Sequence, residues 1–122
     1  MQYKFTNRAE KALKIANDTA VAFGHSYIGT EHLLYGLSDE GNGVASKVLE
    51  LQNVTPENII DEIEDLIGVI NYEEASEKTL GFTPRTKKVI ENAYKEAKKI
   101  GSEYIGTEQL LVGIMQEADS VA

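Results

Sequence analysis

The chain has 122 residues, 12 basic against 20 acidic side chains, and a formal net charge of −8. That length and a 42% hydrophobic content predict one domain with a packed core, while the absence of cysteine excludes a disulfide framework and thiolate chemistry. The acidic balance argues against nucleic acid, which is held mainly by Lys and Arg on phosphates, and favours partners with exposed cationic groups.

In chain order, MQYKFTNR at the start lacks the apolar run of a signal peptide, and no later stretch approaches a membrane span. A cytoplasmic location without membrane contact is expected. Thr6 stands at a helix cap. Ala9, Ala12, Leu13, Ala16 and Ala20 follow at helical spacing, and Gly24 is the expected stop. Gly29-Thr30 starts a shorter helix carrying Leu33, Leu34 and Leu37. Gly41-Asn42-Gly43 breaks the chain before a third helix over Val44 to Leu51. Thr55-Pro56 caps a fourth, with Ile59, Ile60, Ile63, Leu66 and Ile67 on one face. Residues 71–81, with Glu73, Glu74 and Glu77, read as an acidic linker.

From Phe82 the sequence repeats itself. Phe82 to Ala122 aligns without a gap on Phe5 to Ala45, displaced by 77 positions, with roughly 18 of 41 positions identical. Thr83-Pro84 takes the place of Thr6-Asn7. Val89, Ile90, Ala93, Ala97 and Ile100 form the second apolar face, and Gly101 stands for Gly24. The shared small residues, Ala16 with Ala93 and Ala20 with Ala97, predict close helix contacts. The sharpest shared block is Tyr27-Ile28-Gly29-Thr30-Glu31 against Tyr104-Ile105-Gly106-Thr107-Glu108. No segment shows strand periodicity, so an all-α fold is expected. The second copy stops at Ala122 and has nothing matching the third and fourth helices. This points to a fragment of a longer chain, or to a partner or swapped helix that fills the gap.

The pattern of Phe5, Thr6, Arg8, Ala9, Gly24, His25, Ile28 to Leu34, Gly36, Leu37, Glu40, Gly41, Gly43, Val44 and Ala45 resembles the Clp N-terminal repeat domain of the Hsp100/Clp AAA+ unfoldases. The opening FTPRTKKVIE at Phe82 to Glu91 resembles the ClpC branch in particular. The resemblance implies an all-α domain of tandem pseudo-symmetric helical repeats spanning 1–122, with repeat one at 5–70, linker at 71–81 and a truncated repeat two at 82–122. It implies no catalysis in this chain. It implies recruitment of adaptor proteins and substrates to a parent hexamer that feeds a ClpP-type protease. Any ATP would belong to the parent's AAA+ modules, since no phosphate-binding GxxxxGK[ST] loop is present and no cofactor is expected here. Gln109 departs from the family's second histidine, and Glu117-Ala118-Asp119-Ser120 from its second E-G-x-G.

The ClpC resemblance also implies a reader of phosphoarginine, a degradation mark, with a pocket in each repeat. Glu31 and Glu108 would accept the guanidinium N–H groups, an arrangement suited to charge-assisted, two-pronged bonding. The phosphoryl group would sit at helix N-termini. There Thr6 and Thr83 cap first helices, Thr30 and Thr107 cap second helices, and Arg8 and Arg85 add positive charge. A plainer reading makes the threonines and glutamates ordinary capping and dipole chemistry, and pairs each arginine with a neighbouring acid. His25 and His32 do not form a zinc pattern. Phe5 and Phe82 are hydrophobic staples or rims of a groove. Three alternatives remain: a free-standing Clp-repeat protein that modulates proteolysis without a motor, a small hydrolase using Glu31 and Glu108, and a purely structural helical dimer.

Overall fold

The computed structural model describes residues 3–66 and 79–121. In chain order the elements are α1 (Asn7–Ala22), β1 (Tyr27–Ile28), α2 (Thr30–Asp39), α3 (Val44–Leu51), α4 (Pro56–Leu66), β2 (Gly81–Phe82), α5 (Pro84–Lys99) and α6 (Thr107–Val121). Ile67 and residues 71–78 of the expected linker lie outside the described residues. The linker's end is part of the fold: the Leu80 N–H donates to Asn17 Oδ1 on α1 at 2.8 Å, and Gly81 belongs to β2.

The long helices begin and end as their cap residues dictate. Thr6 and Thr83 are extended, and their hydroxyls accept the Ala9 and Thr86 N–H groups at 3.2 and 3.1 Å. Both helices stop at a glycine in the left-handed region, Gly24 at φ 73° and Gly101 at φ 74°. His25 N–H then reaches back to the Ala20 carbonyl, and Ser102 N–H to that of Ala97, each at 2.9 Å. This doubled-back bond satisfies carbonyls that the helix leaves open. Asn53, at φ 60°, ends α3 in the same way.

α1 packs on α2, and α5 on α6, as antiparallel hairpins. The contact is close because it is made of small residues. Ala9, Ala12, Ala16, Ala20, Ala93 and Ala97 are all essentially inaccessible. A side chain on Gly36 would run into the Ala12 carbonyl oxygen. Its counterpart Gly113 faces the Val89 carbonyl in the same way. Leu33, Leu37, Ala45, Val89, Ile90, Ile105 and Leu110 complete a core to which both repeats contribute.

The all-α fold expected from the sequence holds, with one small addition. β1 and β2 pair in parallel, Tyr27 with Gly81 and Ile28 with Phe82, and Phe5 bridges Ile105 in parallel. Shifted by 77 positions, the Ile28–Phe82 pair becomes the Ile105–Phe5 pair. Each repeat therefore lays its Tyr-Ile segment against the entry strand of the other. The Thr83 N–H donates to the Ile28 carbonyl at 3.1 Å, the Thr6 N–H to the Ile105 carbonyl at 2.9 Å, and the Ile105 N–H to the Lys4 carbonyl at 2.8 Å. Strands this short carry no alternation to read. Phe5 and Phe82 are half-buried packing residues of the core. They are not staples, because the fourth helical positions are Glu10 and Lys87.

The two repeats differ in what covers their outer side. α4 lays Ile59 and Ile63 over Phe23 and Tyr35. The counterparts of those two, Ile100 and Val112, have no such cover among the described residues and are 70% and 37% exposed. Gly36→Ala is expected to lower unfolding free energy by about 2 kcal/mol despite alanine's better helix propensity, because the added carbon meets backbone rather than a movable side chain. Urea denaturation measures it. A stability at or above that of the parent chain would mean the hairpin opens at no cost.

Candidate functional site

The starts of the four hairpin helices gather in two places. Thr6 is bonded to Ile105, three residues before Glu108, and Thr83 is bonded to Ile28, three residues before Glu31. One cluster therefore takes Thr6 and Arg8 from the first repeat and the Gly106-Thr107-Glu108 turn from the second. The other takes Thr83 and Arg85 from the second repeat and Gly29-Thr30-Glu31 from the first. The sequence suggested a grouping within each repeat; the strand exchange regroups the same residues across repeats.

The Gly-Thr-Glu turn has a single construction used twice. Gly29 is extended and is the N-cap of α2, so Thr30 is the first helical residue and not the cap expected from sequence. Gly106 stands in the same place before Thr107. A glycine has no side chain to cap with, and the third helical residue compensates. The Gly29 N–H donates to His32 Nδ1 at 2.8 Å, and the Gly106 N–H to Gln109 Oε1 at 2.7 Å. Gln109, which looked like a departure, performs the histidine's task. Glu31 and Glu108, second in each helix, fold their carboxylates back over the glycine, into the space that a glycine Cβ would occupy. There each faces the positive end of its helix. Both stay partly exposed; the Glu31 side chain is 39% accessible.

His32 is 2% exposed. Burial pushes its pKa down to about 4, the neighbouring Glu31 pulls it up, and His25 pushes it down again. It is therefore neutral near pH 7. Because Nδ1 accepts the Gly29 N–H, its proton sits on Nε2, 2.8 Å from His25 Nδ1. The 3.7 Å approach of Glu31 to the unprotonated Nδ1 is thus no salt bridge. No group of three or more metal-ligating side chains occurs among the described residues.

The remaining sequence candidates divide. The Thr107 hydroxyl is buried and accepts the Ala45 N–H at 3.4 Å, so it caps α3, whose own N-cap Gly43 has no side chain. Thr30 is half-buried. Arg85 pairs with Glu117 at 3.8 Å, the neighbourly pairing the plainer reading expected. Arg8 is exposed with no ion pair among the described residues. The difference has a cause: Glu40, the counterpart of Glu117, is buried and turned inward, accepting the Gly43 N–H at 2.6 Å and the Asn42 N–H at 3.3 Å. Sequence reasoning missed Glu40, although a glutamate directly before Gly-Asn-Gly was the available signal.

Two helical hairpins related by a pseudo-twofold exchange of short strands define a tandem helical repeat whose partly exposed glutamates lie at helix starts, and among the described residues no helix is long and apolar enough to cross a membrane. The chain belongs to the Clp repeat (R) N-terminal domain family, whose model matches residues 4–122. It is 46% identical over 119 residues to the negative regulator of genetic competence ClpC/MecB of Bacillus subtilis (strain 168), covering 98% of this chain and 14% of that protein. It is 44% identical, with the same coverage, to the ATP-dependent Clp protease ATP-binding subunit ClpC of Staphylococcus aureus (strain USA300). The N-terminal domain of the caseinolytic protease associated chaperone ClpD from Arabidopsis thaliana shares the fold, with a TM-score of 0.71 over 91% of this chain and 75% of that one at 24% identity. The chain thus spans 14% of the length of the curated relatives it matches.

His32 gives the cap a measurable pH signature. Its folded pKa lies below the unfolded 6.5, so between about pH 4 and 6.5 the unfolded chain binds the extra proton. Its contribution is whole above pH 6.5 and is lost as pH falls toward 4, on the order of 3 kcal/mol in all. His32→Gln, which copies Gln109, is expected to keep the cap and flatten this slope in denaturation series across that range. An unchanged slope would place the titration elsewhere.

Proposed function

We propose that this chain is the non-catalytic substrate- and adaptor-recognition domain of a ClpC-like ATP-dependent unfoldase that serves a Clp protease, and that it reads phosphoarginine marks. Adaptors and marked proteins are its partners, ATP belongs to the parent's motor modules, and the setting is cytoplasmic. The observation that carries this reading is the pairing, made twice, of a glutamate held at one helix start with a threonine-capped helix start from the other repeat. A guanidinium bonded to a phosphoryl group needs both: a carboxylate for its N–H donors, and backbone N–H groups at a positive helix end for its oxygens.

The two clusters are not equivalent donors. At α1 the first helical residues are Asn7 and Arg8, both with backbone N–H groups, and Arg8 makes no ion pair among the described residues. At α5 the first residue is Pro84, which has no N–H, and Arg85 is partly neutralised by Glu117. The Thr6–Glu108 cluster is therefore the tighter of the two. Thr107 and Thr30 contribute less than Thr6 and Thr83, since neither stands at its helix cap.

Calorimetric titration with a phosphoarginine peptide, against its unmodified counterpart, tests the reading. About two saturable sites are expected. Glu108→Ala should weaken the stronger by roughly tenfold, the worth of one charge-assisted bond, and Glu31→Ala the weaker. Gly29→Ala should also weaken the Glu31 site while leaving stability nearly intact, since the added methyl meets only the movable Glu31 carboxylate, whereas at Gly106 it would also crowd the capping Gln109 Oε1. Affinity independent of the phosphoryl group, or untouched by the glutamates, would remove mark reading and leave adaptor docking.

A further inference from the structure

Beside the start of α2 lies a groove of about 680 Å³, bounded by α2, the turn after α3, and α4. Leu34, Val54, Ile59 and Ile63 are its apolar lining, and Glu31, Asp61 and Glu62 its acidic lining. Among the described residues no Lys, Arg or His lines it. α4 itself, PENIIDEIEDL, has five carboxylates and no basic residue. The volume lies in the range of ordinary ligand pockets, roughly 300 to 1,000 Å³.

We infer that this groove docks an unmodified peptide segment in which apolar side chains stand between arginines or lysines. The argument is charge complementarity beside an apolar lining. Carboxylates of one sign, set beside a low-dielectric surface, attract cations more strongly than the same charges spread over open surface. Anionic ligands are repelled, and a purely apolar ligand would leave Glu31, Asp61 and Glu62 without a counter-charge. A cationic–apolar segment covers the apolar lining and neutralises the acidic one together. The partner is then a basic, exposed stretch of substrate or adaptor, recognised without phosphorylation.

The inference rests on reading the chain as a recognition domain, but differs from mark reading in its stoichiometry. Helix starts occur twice, whereas this groove requires α4, and no counterpart of α4 occurs among the described residues. It predicts one site per chain. Glu31 belongs to both the helix start and the groove, so a marked arginine at Glu31 and a basic segment in the groove would compete.

Fluorescence anisotropy on the full chain tests this with a fluorescein-labelled peptide carrying Leu and Ile between Arg and Lys. Expected is one saturable site whose affinity falls as salt rises, and falls roughly tenfold in Asp61→Lys with Glu62→Lys. Both positions are exposed, so the fold is retained. Glu64→Lys with Asp65→Lys makes the same charge change on α4 outside the groove lining, and should cost little. A peptide with Glu in place of Arg and Lys should prefer the Asp61→Lys, Glu62→Lys chain to the parent. Absent binding by the parent chain would overturn the inference, as would equal losses in the two charge-reversed variants. Loss of groove binding with phosphoarginine titration intact would leave the mark-reading proposal standing; the converse would remove that proposal and keep the groove.

Discussion

Everything at the candidate site depends on a few backbone hydrogen bonds between the repeats. The Thr83 N–H to Ile28 and the Thr6 N–H to Ile105 tie the entry of each long helix to the Tyr-Ile segment that leads into the other repeat's short helix. Buried backbone donors and acceptors must be paired somewhere, and here the repeats satisfy each other. Because the relation is reciprocal, one exchange ties the strand before each Glu-bearing helix to the entry of the other repeat's capped helix. It also closes a common core, in which Leu33 and Leu37 of one copy meet Val89, Ala93 and Leu110 of the other.

Within that frame the same local problem is solved with different side chains. A glycine is needed before each Glu-bearing helix, because the glutamate folds over it. The glycine then has no capping oxygen, and the lost acceptor comes from three residues on: an imidazole in the first copy, an amide in the second. The amide is indifferent to pH, while the buried imidazole must remain neutral to serve. Similarly, Thr107 supplies the cap that Gly43 lacks, across the boundary between repeats. Duplication preserved the backbone plan and let the chemistry of individual positions diverge.

Divergence also explains how the outer surfaces differ. Glu40 turns inward to hold the turn before α3, whereas its copy Glu117 faces Arg85. Phe23 lies beneath α4, whereas its copy Ile100 is exposed. Clp-repeat relatives such as ClpC/MecB are far longer than this chain, so the functional weight of each surface is a property to test in this sequence by its own residues.

Much was legible from the sequence alone. The 77-residue repeat, the Thr6 and Thr83 caps, the Gly24 and Gly101 stops, and the alanine faces of α1 and α5 all rest on local backbone and packing rules, which act between residues a few positions apart. The helix starts bearing Glu31 and Glu108 were visible for the same reason. Tertiary structure decided which helix entry pairs with which Tyr-Ile segment, because two-residue strands have no periodicity and their partners lie more than fifty positions away. It also decided that Thr107 is a buried cap for a distant helix, that Gln109 replaces a histidine in function, and that Arg8 and Arg85 have different neighbours. Hydrogen bonds and ion pairs of that kind depend on where the chain returns in space, which no local spacing encodes.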